Sequence, residues 1–173
     1  SSFLNYTDGR IRSDMCRLGM LWKYGGYYFD NDIVILRNFT NLIQPSTEFI
    51  TCKTTDYIGN TAGFFQAFMA SVPQHPVLKI ALKLHVQWFD ILRQKNTKAI
   101  LAITGGVPRP NLGTVFLRQA LIELKSNKFV EELERIGANN NTQLLFEVSL
   151  HEKIVRMKYN LQNICSSCSS PYN

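Results

Sequence analysis

The feature that most constrains this chain is a helix stripe running into two glycines and then into an acid-bearing apolar segment. From Gly9 to Tyr24 the apolar residues Ile11, Met15, Leu18 and Trp22 recur at steps of four, three and four, which marks one face of an α-helix. Gly25-Gly26 closes it, as glycine does at helix C-termini. Tyr27 to Leu36 follows, aromatic and β-branched apart from Asp30-Asn31-Asp32, and reads as a strand or two short strands. Carboxylates in such a segment need solvent or a cation, because uncompensated burial is costly. In an extended chain residues i and i+2 project to one side, so Asp30 and Asp32 are expected to converge. Two convergent oxygens suit a hard divalent ion, Mn²⁺ or Mg²⁺, with a diphosphate filling other positions.

Further strands are expected at Phe49 to Thr54, Gly63 to Met69 and Gln143 to Leu150. Helices are expected from Pro76 to about Gln94, with Ile80, Ala81, Leu84, Trp88 and Ile91 on one side, and from Leu112 to Ser126, ahead of a charged segment at Lys128 to Arg135. Proline is well placed in a first helical turn. Strands alternating with helices point to an α/β domain, and 173 residues with 45% hydrophobic content suffice for one core. The Ser-rich stretch from Cys165 to Asn173 reads as a flexible tail.

Charge narrows the partners. Nineteen basic residues against 13 acidic ones give +6, but they are spread singly, without basic runs interleaved with aromatics, which argues against a nucleic-acid surface. No apolar run reaches the length needed to span a bilayer, so membrane association is expected only through segments outside these residues. Cys165 and Cys168 have half of a zinc-site spacing, but Cys16 and Cys52 supply no second pair; a disulfide or free thiols is the alternative. Sequons at Asn5, Asn38 and Asn140 favour the secretory pathway.

On the first helix Asp14 and Arg17 fall 60° apart beside the apolar stripe, at a cleft edge or as a surface ion pair. Together, Ser13, Asp14, Arg17, Leu21, Tyr24, Gly25, Gly26, Tyr28, Asp30 and Asp32 make ten fixed positions within twenty residues. This pattern closely resembles the DXD signature of family-32-type glycosyltransferases, which include α1,4-galactosyl and α1,4-N-acetylglucosaminyl transferases. The resemblance implies a GT-A-like fold with a mixed sheet flanked by helices, a nucleotide-sugar donor linked to UDP or GDP, and hexose transfer with retention to a glycan, lipid or protein acceptor. It further implies the Golgi lumen and a partial domain whose nucleotide-binding strands would precede Ser1.

Carried over by position, Asp30 contacts the ribose and sugar side of the donor and Asp32 binds the metal, with both acids as candidate ligands. Asp14 and Arg17 bind the donor sugar beside Ser13, Arg17 also neutralises phosphate charge, and Tyr28 with Gly25-Gly26 shapes the donor pocket. His75-Pro76 resembles the family's helix start. Gln66 stands where relatives have Asn, and Thr104-Gly105-Gly106 where they have Thr-Gly-Pro, so the acceptor side departs from the pattern; His151 is a further polar candidate.

Two rival readings share the motif. A haloacid-dehalogenase-like phosphatase would need a later acidic pair, and downstream Asp56 and Asp90 are widely separated while Glu131-Glu132 lies in a charged segment. A non-catalytic sugar- or nucleotide-binding module could keep the same residues as a fold signature.

Overall fold

The first helix forms where the apolar stripe places it. In the computed structural model, which describes residues 9–35, 43, 45–55, 62–94, 98–99, 112–124, 144–148 and 155–160, α1 spans Gly9–Tyr24 and buries Met15, Leu18 and Leu21. Ile11 and Trp22 pack at the margin of the same cluster. Gly25 N–H closes the last turn on the Leu21 carbonyl at 2.8 Å. Gly25 and Gly26 both have positive φ, 67° and 95°, a region costly for residues with a β-carbon. At Gly25 the need is double, because a β-carbon would also lie 2.7 Å from Pro73 Cδ and 2.8 Å from the Ser71 carbonyl.

The chain then reverses into β1, Gly26–Phe29, an edge strand of a five-stranded sheet. With β2 (Phe49–Thr55), β3 (Ala62–Ser71), β4 (Leu144–Val148) and β5 (Val155–Asn160), the order is β1-β3-β2-β4-β5. Strand β1 pairs with β3 from Gly26↔Ser71 to Phe29↔Phe68, and Asp30 N–H adds one more bond, 2.8 Å, to the Ala67 carbonyl. Every pairing is antiparallel, so the expected mixed sheet is not what forms among the described residues. Connectivity accounts for the β2–β3 and β4–β5 pairs. Only residues 56–61 separate β2 from β3, and 149–154 separate β4 from β5, whereas a parallel crossover takes a dozen or more residues. The described helices between β3 and β4 link strands that are not neighbours.

Helix α2, Pro76–Arg93, starts as the sequence predicts. His75 is its N-cap, with Nδ1 accepting from the Val77 N–H at 3.3 Å, and Pro76 fills the first turn. Its buried face is Val77, Leu78, Ala81, Leu84 and His85, a stripe that includes His85 where apolar periodicity alone named Trp88 and Ile91. Helix α3, Leu112–Leu124, buries Leu112, Phe116, Leu117, Ala120 and Leu121. These side chains join Leu18, Leu21, Phe49, Phe64 and Met69 in one core. His85 is fully buried, its Nδ1 2.9 Å from the Ala81 carbonyl and its ring edge-on to Phe116 at 4.7 Å. Burial lowers its pKa to about 4, so at neutral pH it is an uncharged core residue.

No helix among the described residues is long and apolar enough to cross a membrane. Cys16 is an exposed free thiol. The expectations for the Cys165/Cys168 pair, His151, the three sequons, the Thr104 segment and the C-terminal tail fall on residues outside those described.

Candidate functional site

The first half of α1 lines a cleft of about 380 Å³ with Arg10, Ser13, Asp14 and Arg17. Steps of three, one and three keep these residues on one helical flank. Across from them stand Asp30 at the end of β1, Gln66 and Ala67 of β3, and Thr114 of α3.

Arg17 draws these walls together. Its Nη1 lies 3.0 Å from Asp30 Oδ1 and donates to the Gln66 carbonyl at 3.1 Å. Its Nη2 donates to Ser13 Oγ at 3.0 Å and lies 3.6 Å from Asp14 Oδ1. The guanidinium also sits over the Tyr28 ring, 4.8 Å from the centroid. With only 11% of its side chain exposed, Arg17 is held by several groups in a fixed fork that a lysine ammonium could not reproduce. Tyr28 completes the corner by donating its hydroxyl to Asp30 Oδ1 at 2.7 Å. Burial, and then this bond to Asp30, push the Tyr28 pKa up to about 12, so the phenol remains a donor throughout the physiological range.

The sequence-predicted residues thus divide. Ser13, Asp14, Arg17, Tyr28 and Asp30 meet in one network, while Asp32 stands apart on an exposed turn. The expectation that Asp30 and Asp32 project from an extended strand is corrected here. Ile33 N–H donates to the Asp30 carbonyl at 3.1 Å, so Asp30 to Ile33 forms a tight turn. Asp-Asn-Asp is turn chemistry, its short polar side chains competing with the sheet for main-chain groups, and β1 stops at Phe29 instead of continuing to Leu36. Convergence on one strand face therefore gives no argument for a metal site.

The residue types still fit a hard cation in part. Asp30 Oδ1 is taken by Arg17 and Tyr28, which leaves Oδ2 for an outside partner, and Asp32 offers a solvent-facing carboxylate beside it in the chain. Among the described residues no group of three or more His, Cys, Asp or Glu side chains forms a complete protein-only site. A cation here would need ligand oxygens as well.

Residues that the sequence did not mark as members of this cleft also emerge. Gln66, read only as a departure from a family pattern, is 4% exposed and donates through Nε2 to the Gly113 carbonyl at 2.6 Å. Thr114 and Arg10 line the cleft. Arg10 was legible as the preceding turn of the same helical flank; Thr114 and Gly113 are brought in by α3, a contact with no local signal.

Known proteins show the same relationship. Residues 2–50 match the family described as "Glycosyltransferase sugar-binding region containing DXD motif". The chain is 47% identical over 153 residues to a mouse (Mus musculus) protein named lactosylceramide 4-alpha-galactosyltransferase, covering 78% of this chain and 38% of that one. With the rat (Rattus norvegicus) protein of the same name identity is 47% over 116 residues, covering 57% and 30%. With a human (Homo sapiens) protein named alpha-1,4-N-acetylglucosaminyltransferase it is 31% over 80 residues, covering 46% and 20%. The chain accordingly spans 20% to 38% of the lengths of these relatives. Residues 2–50, which hold Ser13, Asp14, Arg17, Tyr28, Asp30 and Asp32, thus match the sugar-binding region of the DXD-containing glycosyltransferases, and over 78% of its length the chain is similar to a protein named as a glycosyltransferase.

Proposed function

We propose that the full-length protein transfers a hexose from a UDP- or GDP-linked donor to a glycan, glycolipid or protein acceptor, with retention of anomeric configuration. The observation that carries this reading is the corner at Arg17, where one guanidinium gathers Asp14, Ser13 and Asp30 along the wall of a cleft of about 380 Å³. That volume suits a sugar unit with part of its diphosphate.

In this reading the donor sugar lies against Ser13, Asp14 and Gln66, and the pyrophosphate lies toward the end of β1. Arg17 holds Asp30 at a fixed orientation, so the donor meets a prearranged acceptor atom and no side chain must be reorganised as the bond breaks. Arg17 also supplies positive charge close to the leaving group. Asp30 and Asp32 are the residues that would hold Mn²⁺ or Mg²⁺. When bound, such an ion offsets charge on the departing nucleoside diphosphate. The relatives named as lactosylceramide galactosyltransferases support a glycolipid among the possible acceptors, and the sequons support the Golgi lumen as the compartment.

Calorimetric titration of the full-length protein with UDP-hexoses and GDP-mannose, with and without Mn²⁺, tests the reading. Wild type is expected to bind one of these donors in a Mn²⁺-dependent manner and to release free sugar slowly by hydrolysis. Asp32→Asn is expected to remove the Mn²⁺ dependence while the melting temperature stays within about 2 °C, since an exposed turn substitution changes stability little. Unchanged Mn²⁺-dependent affinity in the variant would overturn the metal assignment. Donor binding without hydrolysis or transfer would identify a binding module.

A further inference from the structure

The segment that leaves the turn at Asp30 to Ile33 is apolar and exposed at once. Val34 is 56% exposed and Ile35 47%, although both are β-branched residues suited to a half-buried sheet. Among the described residues they are the only large exposed hydrophobics adjacent in the chain. Consecutive residues of an extended chain point to opposite sides, so a segment lying flat on the protein would hide one of the two. With both in solvent, the segment stands proud of the body. Single exposed aliphatic residues need no explanation, whereas a contiguous apolar projection at the rim of a site does.

Their place in the chain ties them to the cleft. Asp30 lines it, and the bond from the Ile33 N–H to the Asp30 carbonyl, 3.1 Å, closes a turn that keeps the Cα atoms of these two residues within about 7 Å. Val34 and Ile35 follow directly, each about 3.8 Å further along the chain. Whatever covers Val34 and Ile35 therefore also lies close to the end of the cleft where the reading above puts the pyrophosphate.

Area and charge choose the occupant. Two half-exposed aliphatic side chains supply far less than the roughly 800 Å² per partner of a stable protein interface, so they do not seat a second copy or a partner protein. A bilayer takes up individual aliphatic side chains without any complementary surface, in proportion to the apolar area removed from water. The carboxylates of Asp30 and Asp32, in the same turn, disfavour an anionic surface, which leaves a neutral one. We infer that Val34 and Ile35 dip into the membrane that carries the acceptor, so that this turn sets the mouth of the cleft on a glycolipid headgroup at the bilayer surface. The inference rests on the glycosyltransferase reading above. It narrows the acceptor to a membrane lipid with a short sugar headgroup, because a short headgroup reaches the cleft only where the bilayer lies close to it.

The test compares one headgroup on and off a membrane. Full-length protein with Mn²⁺ and UDP-galactose is given either lactosylceramide in phosphatidylcholine vesicles or lactose free in solution. The double variant Val34→Ser/Ile35→Ser is expected to lose about tenfold or more of the vesicle rate, as apolar contact with the bilayer is removed. Its donor hydrolysis and its transfer to lactose should stay within about twofold of wild type. Val34→Trp keeps an apolar side chain in place. It should retain the vesicle rate and add tryptophan fluorescence that brominated phosphatidylcholine quenches beyond the wild-type level. An unchanged vesicle rate in the double variant, or an equal loss toward both acceptors at an unchanged melting temperature, would overturn the inference, and so would Val34→Trp without added quenching. Where the double variant melts lower, the quenching decides. Wild type that hydrolyses no nucleotide sugar and uses neither acceptor, yet shows the added quenching in Val34→Trp, would refute the proposed function and leave the membrane contact standing.

Discussion

The corner around Arg17 and the packing between α2 and α3 bury polar groups for opposite ends. In the helical core His85 is neutral, set edge-on against Phe116 and close to the Ala81 carbonyl, with apolar side chains around it. At the corner, Arg17, Asp14, Asp30, Tyr28 and Gln66 concentrate charge and hydrogen-bonding capacity where a hydrophobic substitute would pack as well. Buried ion pairs add little stability over apolar residues of similar size. What they do supply is a fixed constellation. In the proposed reading the core accounts for the fold and the corner for the ligand, and substitutions in each should separate stability from binding.

The largest separation is expected from Phe116→Ala. Phe116 has no exposed surface and lies in the main cluster, so truncation should cost about 3–5 kcal/mol in urea unfolding. Donor affinity of the protein that remains folded should stay within about twofold. A large change in that affinity would mean that core and corner are not independent.

The second effect concerns pH. His85 has a folded-state pKa lowered to about 4 by burial, against about 6.5 when unfolded. The unfolded chain therefore binds the proton first, and the contribution present above pH 6.5 is lost as pH falls toward 4. The full span of that shift corresponds to as much as about 3 kcal/mol. Urea midpoints between pH 7 and pH 4.5 measured on wild type and His85→Leu should show a shallower slope in the variant. Identical slopes would assign the acid sensitivity to groups other than His85.

The two regions also differ in what their residues disclosed in sequence. Helix α1 and its glycine stop were legible to the residue, because an amphipathic stripe and a positive-φ turn are local properties. That Asp14 and Arg17 share one flank of α1 was legible for the same reason, whereas Ser13 was marked by the resemblance to a family signature and Asp30 by its place in an apolar segment; the structure brings the four together. Asp32 was misplaced because alternation was carried through Asp-Asn-Asp, where turn chemistry prevails over the strand pattern and the Ile33–Asp30 bond closes the chain on itself. The mixed sheet came from the family resemblance, and alternating strands and helices say nothing of which strands are neighbours, so nothing local signalled the antiparallel pairings of the described strands. Strand β5 was missed although Val155, Met157 and Tyr159 alternate with polar residues. Gln66 and Gly113 could not be joined from sequence at all, since 47 residues separate them and only the packing of α3 on β3 brings them together.

The most direct test of the central claim, that Arg17 assembles the donor site by holding Asp30 and Asp14, is calorimetric titration of full-length wild type and Arg17→Lys with a bound UDP-hexose in Mn²⁺. Lysine keeps the charge but cannot reach Asp30, Ser13 and the Gln66 carbonyl at once, so donor affinity should fall by roughly thirtyfold or more, the loss of two or more charge-assisted bonds, while the melting temperature changes by no more than about 5 °C. Affinity within threefold of wild type would contradict it, showing that positive charge alone suffices and that the geometry of the corner is incidental.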